Sequence, residues 1–437
     1  MAGETSKSSQ APLLSGVEET IMDSKMQQAV EADSGQKRNC RLDLPDLVYS
    51  GAVCTSWHQS YSAVRRFRLC SPDQSPYLVF SSADQDSNTA TLHNVSTNKI
   101  YHASLPDPPF RSRYIVGSSQ GWLVTADELS NLHLLNPISG AQIALPLPQS
   151  IKDVTPSFTE DGDLAGYYIM AINNGRPAPD FYPAKEARHY LYDKVVLSSD
   201  PSCGECTVLL KHRPYQYLSF AKIGDNKWTW LAMECCRFYH DIFYNDSDGL
   251  FYAIRSCGDI HTIDLTSSPP AVEVVFRIVH RNVTQTSYVL RAPWGDLLMI
   301  LSTNEPRFLY TTDEESGPSS DDEENYVPRS YLSRRAKVTV HKVNLAKKKV
   351  TRVKNLQDHA LFLGFNHAFM LNAHNHANLS PNCAYFSDDD NDHIYCYPFA
   401  ERHLVRLNLK DATLTDLSFT NSLLNWPPPV WFRPRLS

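Results

Sequence analysis

Histidines and cysteines gather in one stretch, FNHAFMLNAHNHANLSPNC, which holds His367, His374, His376 and Cys383, with His393 and Cys396 beyond it. Imidazoles two positions apart on a strand point to the same face, so His374 and His376 could share a metal ion. No standard zinc spacing fits, however, and the flanking Asn, Ala and Ser read as a loop between strands, so solvated or core histidines are expected. The run DDDNDH sets carboxylates at Asp388, Asp390 and Asp392, as a calcium loop does. His393 then stands where that loop needs Gly and Phe399 where it needs Glu, which leaves a polar hairpin turn as the better account. Cys203 and Cys206 form a CGEC pair, but a lone CxxC without a thioredoxin-like βαβ context indicates structural thiols. No nucleophile elbow, GxGxxG or GxxxxGK[ST] pattern is present. The expectation is a protein that is not an enzyme and holds no metal or cofactor.

Charge sets the next bound. Lys plus Arg number 41 against 48 Asp plus Glu, a net of −7, and DEESGPSSDDEE at Asp313–Glu324 alone holds seven carboxylates. Elsewhere the chain is balanced, which argues against nucleic acid or an anionic membrane as partner, since both need a strong positive field. Within the acidic run, Ser319 and Ser320 each have an acid three residues on, the context that acidophilic kinases read, and phosphorylation would deepen the local charge. No window approaches eighteen apolar residues and no secretory signal pattern opens the chain. Scattered cysteines fit reduced thiols in the cytoplasm or nucleus.

The elements that position these residues are mostly strands. With 22 Tyr, 18 Phe and 7 Trp, and 28 Pro to punctuate, the chain favours short strands over long helices. Residues 1–40 read as a polar leader, and a helical segment follows over 41–70. There Leu47, Cys54, Trp57 and Tyr61 form one amphipathic stripe, with Asp46 as N-cap or first-turn acid. From Tyr77 the hydrophobic period is two. A strand–turn–strand unit recurs with turn centres near Asn94, Asn136, Asp225, Asp264, Asn344 and Asn408. The first and third intervals, 42 and 39 residues, match a four-stranded blade, and the longer ones contain extra segments. Blades cannot bury both faces alone, so a β-propeller of six four-stranded blades is predicted over 75–434. The acidic insertion occupies 312–330, and a seventh unit would have to hide in 150–190.

Two patterns carry a resemblance. LP-DLV-x3-AVC-x2-W at Leu44–Trp57 resembles the later half of an F-box, the helical module of substrate receptors in cullin-type ubiquitin ligases. GWL at Gly121–Leu123, NPISG at Asn136–Gly140, PNCAYFSDD at Pro381–Asp389 and WPPPVWF at Trp426–Phe432 resemble the plant F-box family with a KIB-type β-propeller. The first helix of a full F-box is missing from SGQKRNCRLD, so the F-box is truncated. The resemblance implies a non-catalytic receptor subunit that binds a protein client through the propeller. It also implies a Skp-type adaptor held by Leu44, Pro45, Leu47, Val53, Cys54 and Trp57. A scaffold that has lost the adaptor, or a propeller enzyme or carbohydrate-binding protein, are the alternatives. Trp122, Trp228, Trp294 and Phe362 are conceivable client anchors.

Overall fold

The computed structural model describes residues 43–51, 55, 58–59, 62, 74–173, 176–232, 238–277, 286–303, 337–364, 368–387, 402, 404–417 and 423–435. They divide into two units, one of residues 1–74 with 436–437, the other of 75–435.

In the first unit, α1 (Leu44–Ser50) begins after Asp43, carries Pro45 in its first turn, and ends at Gly51. Proline is tolerated there because the first N–H groups of a helix have no partner within it. Asp46 sits in the first turn as an acid rather than as the cap. Of the predicted stripe, Leu47 lies on α1, which ends at Gly51, while Cys54, Trp57 and Tyr61 lie outside the described residues; Thr55, His58, Gln59 and Ser62 are helical.

The second unit is a ring of sheets. Its first blade contains β1 (Tyr77–Phe80), β2 (Thr89–Asn94) and β3 (Ile100–Ser104); the second contains β4 (Tyr114–Ser119), β5 (Trp122–Ala126), β6 (Leu132–Leu135) and β7 (Gln142–Ala144). An inserted sheet of β8 (Val154–Phe158), β9 (Leu164–Asn173) and β10 (Arg176–Pro183) follows, then α2 (Ala184–Leu191). The third blade is β11 (Tyr192–Leu197), β12 (Thr207–His212), β13 (Tyr217–Lys222) and β14 (Thr229–Trp230). The fourth is β15 (Tyr239–Asn245), β16 (Leu250–Arg255), β17 (Ile260–Asp264) and β18 (Ala271–Phe276). The fifth is β19 (Thr286–Arg291), β20 (Leu297–Thr303), β21 (Lys337–Asn344) and β22 (Lys349–Val353). The sixth is β23 (His359–Leu363), β24 (Phe369–Asn372), β25 (Cys383–Phe386), β26 (Val405–Asn408) and β27 (Leu414–Asp416). Finally β28 (Val430–Phe432) joins the first blade, antiparallel to β1, with Leu78 opposite Trp431.

Burial explains why each sheet has its residue pattern. Strands β4, β11 and β28 are buried at every position, whereas β27 is exposed throughout. Inner strands, covered on both sides by neighbouring blades, are therefore buried at polar as well as apolar positions, and the outermost strand of the sixth blade faces solvent. Six hydrophobic clusters each join two adjacent blades, and together they close the ring. They pair first with second, second with third, third with fourth, fourth with fifth, fifth with sixth and sixth with first. Six blades is the resulting count among the described residues.

Two details depart from a regular propeller. Residues 150–190 form no blade: the inserted three-stranded sheet and α2 pack Tyr167, Ile169, Ala187 and Leu191 onto the cluster between the second and third blades. In the sixth blade, β23 lies between β24 and β25 and runs parallel to β25, which makes that sheet five-stranded.

Candidate functional site

One end of the axis around which the blades stack is built from the ends of inner strands. Ser118 and Ser119 finish β4, Val196 and Leu197 finish β11, Tyr244 nearly finishes β15, and Arg433 and Arg435 follow β28. With Gln120, Gly121 and Asp246 they line a cavity of ≈ 70 Å³, room for a few waters or one small polyatomic group. Gln120 and Gly121 form the two-residue turn between β4 and β5, both at positive φ (52° and 81°), as a tight hairpin whose twist matches its strands requires. Gly121 is constrained twice, because a Cβ there would stand 2.8 Å from the Arg435 backbone nitrogen. Gln120, a side chain held in the left-handed region, is a strained position at a site lining, where such strain tends to gather.

The polar groups of this cavity are unequal in kind. Arg435 donates to the Gln120 side-chain oxygen and to Asp246 Oδ2, the latter at 3.3 Å. The Gln120 amide donates to Asp246 Oδ1 and to the Leu197 carbonyl, both at 3.4 Å. Ser118 donates to the Trp431 carbonyl at 2.8 Å, while Ser119 Oγ accepts the Leu197 N–H at 3.0 Å. Burial, with Asp246 and Asp248 adding to it, raises the Tyr244 phenol and keeps it protonated. The lining is therefore rich in donors, and its single carboxylate is already engaged.

A second polar group lies near the starts of the inner strands and is largely enclosed, with only Arg213 partly exposed. Lys194 on β11 pairs with Asp241 on β15, and Asp241 Oδ2 also accepts the Val289 N–H of β19 at 2.9 Å. Asp193 faces Lys211 at 3.8 Å and Arg213 at 3.7 Å, and Lys211 donates to the His240 carbonyl at 2.9 Å. Burial lowers the Lys211 ammonium, opposed by Asp193 and Asp241. Three consecutive blades are thereby tied through one ion pair and two hydrogen bonds to backbone groups, an arrangement that is costly to break. Nothing in the local sequence distinguishes these Asp and Lys residues from surface charges, which is why sequence reasoning missed them.

The residues singled out from sequence fall as follows. His374 is exposed and paired with Asp358 at 3.0 Å, whereas His376 is buried against Ser96 Oγ at 3.0 Å. They belong to a 3₁₀ turn and its cap rather than a strand, and do not converge. Among the described residues no group of three or more His, Cys, Asp or Glu is arranged to hold a metal. Cys206 is buried, with its thiol raised by burial, and Cys203 is exposed. Trp122, Trp228 and Phe362 are core: the two indoles donate to Asp200 Oδ1 (3.1 Å) and the Pro146 carbonyl (2.9 Å), and Phe362 stacks on Phe369 and Tyr385. Trp294 alone of the four is exposed, at 38%. Phe158, Tyr168 and Phe181 of the inserted sheet are exposed as well, and the last two rings lie 5.4 Å apart.

On α1, Leu44, Pro45 and Leu47 are buried and Tyr49 is exposed. Val53, Cys54 and Trp57, and the candidate phosphorylation sites Ser319 and Ser320, lie outside the described residues, as do His367, His393 and the DDDNDH run. No described helix is long and apolar enough to cross a membrane.

Comparison with known proteins places this architecture. Two Arabidopsis thaliana relatives, each named a putative F-box protein, are similar: one is 23% identical over 264 residues, 60% of this chain and 63% of that one. The other is 25% identical over 244 residues, 53% of each. The chain thus spans less than two thirds of the length of either relative. A solved chain of a nidogen/laminin complex is similar at TM-score 0.37 and 9% identity, over 78% of this chain and 92% of that one, a likeness that carries no argument. The family model described as KIB1-4 beta-propeller matches residues 92–399, from β2 to past the last strands but three. That span is most of the closed ring, and the chain belongs to the KIB1-4 beta-propeller family.

Proposed function

We propose that this protein is a non-catalytic substrate receptor. The ring holds a protein client, and the helical segment ahead of it engages a Skp-type adaptor of a cullin-type ubiquitin ligase. The observation that carries the reading is the closed six-blade ring of this family behind an LP-DLV helix, joined to the F-box naming of two relatives. A ring of this kind contributes proximity: it raises the effective concentration of a client near a ligase whose chemistry resides elsewhere. Surfaces suited to a client are the donor-rich cavity at the ends of the inner strands and the exposed Tyr168–Phe181 pair, since aromatics and Arg dominate interface energy. The acidic insertion with Ser319 and Ser320 would serve as a site where phosphorylation alters client choice.

Burial of Leu44 and Leu47 favours a second reading, a propeller scaffold that no longer binds an adaptor. An adaptor that uses those side chains must first have them presented. Half of an F-box buries about half of the usual area, and at ~25 cal/mol per Å² the loss of several hundred Å² forfeits several kcal/mol. Co-purification of a Skp-type adaptor with the intact chain at micromolar concentration separates the two. Capture that is abolished by Trp57→Ala, with the circular dichroism of the ring unchanged, supports the receptor. Absence of capture from the intact chain rejects it in favour of the scaffold.

A further inference from the structure

The inserted sheet turns one face to the ring and the other to solvent. Val154 of β8 and Tyr167 and Ile169 of β9 pack into the cluster between the second and third blades. The other face follows from register: Thr155 and Phe181 both stand across from Tyr168, and Pro179 stands across from Met170. Residues opposite one another share a face, and none of these is charged. Tyr168 and Phe181 are each 45% exposed, with ring centroids 5.4 Å apart. Gly166 lets the second ring lie there, since a Cβ would strike the Tyr182 carbonyl oxygen and stand 2.9 Å from Phe181 Cζ. The edges of this sheet are closed to a further strand. The Met170 N–H goes to the Asp153 carbonyl at 3.2 Å, so even-numbered residues of β9 bond towards β8 and odd-numbered ones towards β10. Of Pro177, Pro179, Phe181 and Pro183, whose backbone nitrogens then face away from β9, only Phe181 has an N–H. On β8, Pro156 has none, and the Val154 N–H is taken by the Ile151 carbonyl at 3.3 Å. Proline at such positions blunts an edge.

We infer that this face docks a proline-rich segment of the client in polyproline II conformation, with a basic residue at the end over the turn between β8 and β9. Such a chain makes no internal hydrogen bonds and needs no sheet edge. It offers apolar rings and methylenes to aromatic side chains, and bare carbonyls to a donor such as the Tyr168 hydroxyl. An uncharged face would leave a covered charge unpaired, so the residues in contact are uncharged. Charge stands at one end of it: Glu160, Asp161 and Asp163 are exposed on the turn, which the Gly162 N–H closes onto the Thr159 carbonyl at 3.1 Å. A Lys or Arg in the segment complements them. Area decides against a second copy of this chain. Three strands about 4.8 Å apart, over about 20 Å of their length, offer roughly 300 Å², whereas a lasting dimer needs about 800 Å² from each partner. The same length accepts about six residues of polyproline II at ~3.1 Å each. Identification of the owner as a client rests on the receptor reading above; the docking face does not.

The test is fluorescence anisotropy of the labelled peptide PPLPPLPK titrated with the full chain, beside the charge-reversed PPLPPLPE and the strand-forming TVTVTVTK. Saturable binding of the first with a Kd on the order of 0.1 mM is expected. Tyr168→Ala and Phe181→Ala should each weaken it about fivefold, because rings of this kind dominate a small interface. Both side chains face solvent, so the circular dichroism of the ring is expected to stay unchanged. Asp161→Lys should weaken it about threefold, by a factor that shrinks as salt is raised, and PPLPPLPE should bind the parent more weakly to a similar degree. If PPLPPLPK does not saturate, if both ring variants bind as the parent does, or if TVTVTVTK binds as tightly, the inference is overturned. A parent that sediments as a dimer and a Phe181→Ala variant that sediments as a monomer assign the face to a second copy, which overturns it too. Should one ring variant fail to fold, the other still decides. Adaptor capture is read on the helical segment and peptide binding on the inserted sheet, so either result stands or falls alone.

Discussion

Removal of one charge from the enclosed ion-pair group is the sharpest perturbation of this ring. Asp241→Asn keeps the shape of the side chain and an oxygen to accept the Val289 N–H, and removes only the negative charge facing Lys194. Those two side chains are 4% and 6% exposed, so water screens little of the change. With Asp193, Lys211 and the less buried Arg213 beside them, five charges that sum to +1 become four that sum to +2. Breaking a buried pair by taking one partner costs about 3–5 kcal/mol, because the survivor is left uncompensated. The partner experiment is Lys194→Met added to Asp241→Asn. It removes both charges, and the pair of changes should recover all but about 1–2 kcal/mol of the loss. Equilibrium urea unfolding, followed by tryptophan fluorescence and far-ultraviolet circular dichroism together, reads both variants and shows whether one transition describes each. A single variant that costs less than about 1 kcal/mol, or a double variant no better than the single, refutes the clasp linking β11, β15 and β19.

Two further outcomes follow from the same ring. Burial pulls the His212 imidazolium down to about 4 from 6.5, while its Nδ1–H donates to the Arg213 carbonyl at 2.9 Å. The unfolded chain therefore binds the proton first: the stability this neutral ring contributes is whole above 6.5 and is lost as pH falls toward 4. The loss at pH 5 is about 2 kcal/mol for this residue, with His261, also lowered to about 4, adding in the same direction. A urea midpoint equal at pH 7 and pH 5 would contradict it. Gly121→Ala imposes a side chain at φ +81° and 2.8 Å from backbone, and should cost about 1–2 kcal/mol; an unchanged melting temperature would show that the chain after β28 yields freely.

Much of the fold was legible because each blade carries its own local instruction. All six turn centres read from the sequence lie between the last two strands of a blade, and each uses its side chain to close the turn. Asn94 accepts from Ser96 and Thr97 N–H, Asn136 from Ile138 and Ser139, Asp264 from Thr266, Asn344 from Lys347 and Asn408 from Lys410. Asp225 reaches back instead, to the Lys222 N–H. A short polar side chain that mimics a backbone turn is a signal confined to a few residues. What was not legible depends on distance along the chain. β23, wedged beside β25, has the same apolar pattern as a regular inner strand, so its parallel pairing leaves no trace in the period. The cavity brings together residues 119, 244 and 433, with no spacing between them to read. On α1, the apolar spacing spoke of a helix but could not announce the stop at Gly51.

The pairing of β28 with β1 also fixes an order of events during synthesis. Residues 77–80 leave the ribosome roughly 350 positions before residues 430–432 exist to cover them. Through that interval the row of N–H and C=O groups on one side of β1 is open to any strand that drifts near, including one from a neighbouring nascent chain. Trp431, whose indole donates to the Leu363 carbonyl at 3.0 Å, then locks the last arrival to the sixth blade as well as the first. A translation product that stops anywhere short of that tryptophan is left with a seam that no other described strand closes.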